Sequence, residues 1–179
     1  MDNINQSQDC FHNNLLLASA SPRRRELLTQ VGIEFELVLV DTDETPLVGE
    51  RPEHYVVRVA RQKAEAGRAL HLADPRPVLG ADTAVVIDGA ILGKPTSQQH
   101  AAEMLTRLSG CTHQVISVVA LAWGGGSGAR LTTGTSISEV TFRQITRAEI
   151  AAYWQTGEPQ GKAGGYAIQG IAAGRSEER

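Results

Sequence analysis

Residues 15–28, LLLASASPRRRELL, confine the chain to an architecture in which a buried strand passes through a tight loop straight into a helix. An apolar run (Leu15, Leu16, Leu17, Ala18) ends in small hydroxyl residues, then a proline, then arginines that open an amphipathic segment. Ser21 is placed to cap the helix, and Pro22 to occupy its first position, where a missing N–H costs nothing. Cations in a first helical turn are electrostatically misplaced, because the unpaired N–H groups already make that end positive. Arg23, Arg24 and Arg25 therefore either fan into solvent or receive an anion. Free N–H groups, serine hydroxyls and guanidinium forks together favour a phosphate. The cluster reads as a polyphosphate cradle.

Several function classes are disfavoured by composition. A length of 179 residues with 41% hydrophobic content is one domain's worth of chain with enough apolar material for a core. A net charge of −3 and an aromatic content of 4% argue against nucleic-acid binding and against a base-stacking surface. Cys10 and Cys111 have neither metal-ligand spacing nor a disulfide framework around them, which fits a reducing, cytoplasmic setting. No apolar run approaches the roughly 18 residues of a membrane span. Residues 1–13 are polar, lack the layout of a signal peptide and are expected to be a disordered extension. No repeat or linker divides residues 14–179, which read as a single domain.

Residues 35–40 (FELVLV) fit a half-buried strand, and it ends in DTDET at 41–45. Clustered carboxylates at a strand end are either a solvated turn or hard oxygen ligands for Mg²⁺. Residues 52–72 form the clearest helix, with Val56, Val59, Ala60, Gly67 and Leu70 on its apolar stripe and Arg58, Arg61 and Arg68 pointing elsewhere. Lys63 lies on the edge of that stripe, where a lysine snorkels outward by default or reaches into a pocket. Residues 78–86 (VLGADTAVV) read as a strand through the core, followed by an Asp88-Gly89 hairpin turn and a short strand at 90–92. An unpaired carboxylate there would cost several kcal/mol or protonate. Asp82 is thus paired, bound to metal, or a proton acceptor. Gly93-Lys94-Pro95 adds a lysine on a loop pinned by proline.

Residues 97–108 read as a helix capped by Ser97, with Ala101, Met104, Leu105 and Leu108 inward and Ser109-Gly110 as its stop. Strands over 112–123 and 131–142 flank a Gly124–Gly126 turn, and His113 opens the first of them as a structural histidine by default. Thr146 caps a short helix over 146–155. The glycine-dense stretch 157–170, with Lys162, Tyr166 and Gln169, permits close backbone approach to a ligand or forms a loose tail. The pattern predicts an α/β fold: a mixed central sheet with flanking helices and a pocket in a cleft at the strand ends.

Taken together, SASPRRRELL, DTDET, RVARQKA, GADTAVV, GKP, SGCTHQVISVVAL and GKAGGYAIQG, in this order, resemble the Maf family of nucleoside triphosphate pyrophosphatases. That family has an α/β fold related in architecture to the inosine-triphosphate pyrophosphatases. The resemblance runs from about Leu15 to Gly170. It implies that Asp82 is the catalytic aspartate, accepting the proton of the attacking water. It implies that Glu44, together with Asp82, helps hold a divalent cation, Mg²⁺ or Mn²⁺. Ser19, Ser21, Arg24, Lys63 and Lys94 match the residues that line the triphosphate. Arg23, Thr83 and Gln169 match the positions that discriminate bases, in the combination of the dTTP/UTP-hydrolysing branch. The implied substrates are dTTP, UTP and modified pyrimidine nucleotides, with no nucleic-acid or membrane partner.

One departure accompanies the resemblance. Family members continue past IQG with another strand, a GSY-like turn, a GLPL-type segment and a final helix, whereas GIAAGRSEER here is polar and lacks that pattern. A domain without that strand and helix is expected to expose apolar surface, to be weakly active, or to lean on a partner in a homodimer. A nucleotide-binding regulatory protein with little or no turnover is the alternative reading. A nucleic-acid module, suggested by the arginines alone, is opposed by the acidic balance.

Overall fold

The computed structural model describes residues 15–167, Gly170 and residues 176–178. The extension expected over 1–13, with Cys10, and the base-discriminating Gln169 lie outside the described residues. The apolar run forms strand β1 (Leu15–Ala18), and all of its residues are buried. It passes into helix α1 (Pro22–Gln30) with Ser21 at the cap position and Pro22 in the first turn. Strand β2 (Phe35–Leu37) and helix α2 (Pro52–Leu70) follow, then strand β3 (Val78–Ile87) and its short partner β4 (Ala90–Leu92). Helix α3 (Gln98–Leu108), strands β5 (Thr112–Trp123) and β6 (Arg130–Phe142), helix α4 (Arg147–Gln155) and strand β7 (Ser176–Glu178) complete the order.

The strands form one sheet in the order β2-β1-β3-β5-β6-β7, with β4 paired to β3. β1 runs parallel to both β2 and β3, so that Leu16 stands opposite Glu36 on one side and Val78 on the other. β3 and β4 are antiparallel across a tight turn in which Asp88 (φ 50°) and Gly89 (φ 73°) both take positive φ, as an Asp-Gly hairpin requires. The sheet is therefore mixed, as the alternation of elements predicts.

Residue contacts divide the chain into two compact units: the residues up to Glu44 with Val59–Ala81 and Val119–Thr133, and Thr45–Arg58 with Asp82–Val118 and the residues from Gly134 on. In the first unit, Leu16, Ala18, Val38 and Val78 form a buried cluster against which Val40 packs. Burial of each leucine or valine side chain there contributes about 1.5–3 kcal/mol. Helix α2 lies close to this cluster because Gly67 has no side chain; a Cβ there would stand 2.7 Å from Val78 and 3.1 Å from Ala18. In the second unit, Val85, Ile87 and Leu92 join Met104, Leu105 and Leu108 of α3, Ile150 and Tyr153 of α4, and Val140, Phe142 and Tyr166. Ala101, Met104, Leu105 and Leu108 are the buried residues of α3, as its spacing predicts, and the Ser97 hydroxyl accepts the His100 N–H at 3.1 Å.

Four local expectations change. α1 is not amphipathic: none of its residues is buried. The second strand stops at Leu37, although Val38 beyond it is buried. α2 ends at Leu70, which is 65% exposed, whereas Arg68 is buried. The Arg68 guanidinium donates to the carbonyls of Arg76 (2.9 Å), Asp74 (2.7 Å) and His71, so it ties the turn after α2 back to the helix. Finally, Ser176–Glu178 of the charged ending pairs antiparallel with Val140–Phe142. A ladder needs only backbone donors and acceptors, and charged side chains are common on edge strands.

Candidate functional site

Where β1 ends, the backbone leaves the sheet while its next side chain stays inside: Ser19 is 6% exposed. Its Oγ accepts from Arg24 Nη1 at 3.0 Å and from the Ser21 backbone N–H at 3.3 Å. Ser21 occupies the cap position, but its own hydroxyl makes no capping bond to the helix. Ser19, Ser21 and Arg24 are thereby brought together at the N-terminus of α1. Arg23 is exposed and paired along the helix with Glu26 at 3.0 Å, a contact worth at most about 1 kcal/mol. The arginine cluster is therefore not uniform: one guanidinium folds back onto the loop, and another lies along the helix surface.

The loop after β2 carries DTDET past the middle of α2. Glu44 forms an ion pair with Lys63 at 2.7 Å, the lysine side chain being 10% and the carboxylate 34% exposed. Lys63 does not snorkel, because a carboxylate meets it where the apolar stripe would otherwise leave it without compensation. This pairing also takes up one of the carboxylates that made the acidic turn costly.

In the second unit, Asp82 is 8% exposed within a strand whose other residues are almost all buried. Next to it, Thr83 Oγ1 lies 3.2 Å from Ser117 Oγ on β5. The sequence reading passed over Ser117; its only signal is a hydroxyl residue set within the apolar run of that strand. Lys94 is exposed on the loop after β4. That loop is tied to the glycine-dense stretch, since the Gly164 N–H donates to the Gly93 carbonyl at 3.0 Å. Lys162 donates to the Glu158 carbonyl at 2.6 Å within the same stretch. The stretch is no loose tail over its described residues.

Two further groups shape this unit without supplying chemistry. Arg58 forks onto Glu50 with both contacts at 2.7 Å and reaches the Thr45 carbonyl at 3.0 Å, fastening the loop that leads into α2. The guanidinium beside it holds the Glu50 carboxyl down at about 2. His113 is 2% exposed and edge-on to Phe142 and Tyr166, and burial pushes it down to about 4, the Cys111 backbone pulling weakly the other way. It is a structural histidine, neutral at physiological pH. Two open cavities in this unit, of about 510 and about 780 Å³, are lined by none of the residues expected to bind substrate.

Among the described residues no group of three or more His, Cys, Asp or Glu side chains is arranged to hold a metal ion. A cation such as Mg²⁺ is commonly held by one or two carboxylates together with substrate phosphates, keeping several waters. Glu44 in the first unit and Asp82 in the second are each hard-oxygen donors of that kind.

A hydroxyl-and-guanidinium loop at a helix N-terminus, a buried lysine paired with a partly exposed glutamate and a carboxylate set into a core strand are features that phosphate-binding proteins of the α/β class use. The family described as Maf-like protein matches residues 14–177, and the chain belongs to that family. It is 52% identical over 159 residues, 89% of this chain and 82% of the relative, to the dTTP/UTP pyrophosphatase of Pseudoalteromonas translucida. It is 49% identical over 167 residues, 91% of this chain and 80% of the relative, to the dTTP/UTP pyrophosphatase of Alkalilimnicola ehrlichii. Among solved structures, the nucleoside-triphosphatase / dITP/XTP pyrophosphatase of Mycobacterium abscessus covers 73% of each chain at 16% identity with a TM-score of 0.42, too distant to carry an argument.

Proposed function

We propose that this chain hydrolyses dTTP and UTP to the monophosphate and pyrophosphate. The single observation that carries the reading is Asp82, a carboxylate 8% exposed within a strand of the core, a position where a carboxylate is paired, bound to metal or used as a proton acceptor. The names of relatives at about half identity support the substrate class. Water adds to the α-phosphorus, its proton passes to the Asp82 carboxylate, and the bond to the bridging oxygen breaks to release pyrophosphate. Ser19, Ser21, Arg24, Lys63 and Lys94 neutralise and orient the phosphate oxygens. Arg23, Thr83 and Gln169 select the base. Glu44 and Asp82 hold a divalent cation, Mg²⁺ or Mn²⁺, which when bound supplies charge neutralisation on the phosphates. The setting is the cytoplasm, the partner a free nucleotide rather than nucleic acid or membrane, and the working form a single chain or a homodimer.

The test is pyrophosphate release from a panel of nucleoside triphosphates with Mg²⁺. Release from dTTP and UTP well ahead of CTP and the purine nucleotides is expected. Release of inorganic phosphate alone would overturn the proposed point of attack, and equal release from every nucleotide would overturn the base assignment.

A further inference from the structure

Within β3 and residues 115–123 of β5, every residue is apolar or glycine except Asp82, Thr83 and Ser117. The two strands are neighbours in the sheet, and Thr83 and Ser117 belong to the same unit. Their hydroxyl oxygens stand 3.2 Å apart, a hydrogen bond in which either oxygen can donate. Ile116 and Val118 on both sides of Ser117 are buried, as is Asp82 beside Thr83. Thr83 and Ser117 themselves are only half-buried. A hydroxyl pair is thus set into two apolar strands, next to the carboxylate, without being sealed from outside.

Sheet packing does not call for this pair. Valine and alanine would fill the two positions and bring no polar group to satisfy. What Ser117 adds is a fixed sense for its neighbour. A threonine hydroxyl turns about its C–O bond and can either give or accept a hydrogen bond. A bond to Ser117 takes up its hydrogen or one of its lone pairs, and that choice decides what the hydroxyl offers to a third group. Pyrimidine bases differ in the property being read. Uracil and thymine present carbonyl oxygens on either side of N3–H, whereas cytosine has an amino group in place of O4 and a lone pair in place of that hydrogen. A hydroxyl held in one sense complements one of these edges and sets like against like on the other. A hydroxyl free to turn accepts both.

We propose that Ser117 is a positioning residue for nucleobase selection: its hydrogen bond fixes the donor–acceptor sense of the Thr83 hydroxyl, so that Thr83 admits uracil and thymine and opposes cytosine. The inference rests on the reading in which Thr83 helps select dTTP and UTP.

The test measures kcat and KM for dTTP, UTP and CTP, alongside Tm, in the full wild-type chain and in Ser117→Ala, Ser117→Thr and Thr83→Val. In Ser117→Ala, kcat/KM for dTTP and UTP is expected to change little. That for CTP rises about tenfold, the equivalent of about 1.4 kcal/mol, which is the scale of one hydrogen bond. Ser117→Thr keeps the hydroxyl and is expected to keep the wild-type ratio of UTP to CTP. A wild-type ratio in Ser117→Ala, at whatever Tm, would make the serine merely structural and overturn the inference; the base assignment survives that result if Thr83→Val has changed the ratio. A Ser117→Thr variant as relaxed as Ser117→Ala would assign the effect to packing and overturn the inference as well. A wild-type chain without preference for dTTP and UTP, or a Thr83→Val variant with the wild-type ratio, would overturn the base assignment and the inference together.

Discussion

Lys63 carries its charge where water is largely excluded, and Glu44 answers it at 2.7 Å. An ammonium carries three donors, and phosphate oxygens are acceptors for such donors. Lys63→Met keeps the length of the side chain and removes the charge. The expected outcome is a fall in kcat/KM for dTTP of about 100-fold, the scale of losing one donor to a developing oxyanion, read by pyrophosphate release. A variant with lowered Tm and unchanged kcat/KM would confine the lysine to structure. At this scale the sequence identifies which residues carry charge and not how those charges are met. Lys63 looked like a snorkelling lysine because its partner lies in a different segment of the chain. Arg68 looked like a surface residue because the carbonyls it binds are brought to it by the turn after α2. Ser117 drew no notice, since a hydroxyl in a strand has meaning only once Thr83 stands beside it.

The most legible elements are those whose ends are marked by caps. α3 and α4 begin where Ser97 and Thr146 place them, and the Thr146–Glu149 capping box is formed in both directions. Thr146→Ala is expected to cost about 1 kcal/mol, lowering Tm by about 2–4 °C for a domain of this size, with kcat/KM unchanged. An unchanged Tm would show that the helix start is held by packing alone. β3 and its Asp-Gly turn were equally readable, because a continuous apolar run broken by one carboxylate and closed by two positive-φ residues leaves little choice of structure. α1 and β2 were less so. Their periodicity suggested a buried helix face and a longer strand, but none of the α1 side chains is buried, and the pairing of β2 with β1 ends at Leu37. The pairing of Ser176–Glu178 escaped prediction for the reason that charged edge strands always do: backbone donors leave no mark in side-chain pattern.

For the molecule as a whole, stability against pH separates into two windows. His113, held by burial at about 4 against an ordinary 6.5, binds fewer protons folded than unfolded. Its contribution is complete above pH 6.5 and is lost as pH falls through 4. Glu50, Asp74 and Glu149, each held at about 2 chiefly by hydrogen bonds from Arg58, Arg76 and Arg143, contribute above their ordinary carboxylate range and lose that contribution as pH falls toward 2. Among these shifted groups only His113 acts between pH 6.5 and 4.5. Wild-type Tm is expected to decline across that interval, while His113→Gln, less stable at pH 7, holds a nearly constant Tm over it. Parallel declines would remove His113 as the cause. The mixed sheet was legible from the alternation of elements, but the division of contacts into two units was not. β3, β5 and β6 each contribute to both units, and no linker marks the change.

Asp82 bears the central claim, and its test is pyrophosphate release from dTTP and UTP by the wild-type chain and by Asp82→Asn, with nucleotide binding measured on both. The account predicts that the amide lowers kcat by at least about 100-fold, the low end of what a general base contributes, while dTTP is still bound. Turnover unchanged in Asp82→Asn would contradict it.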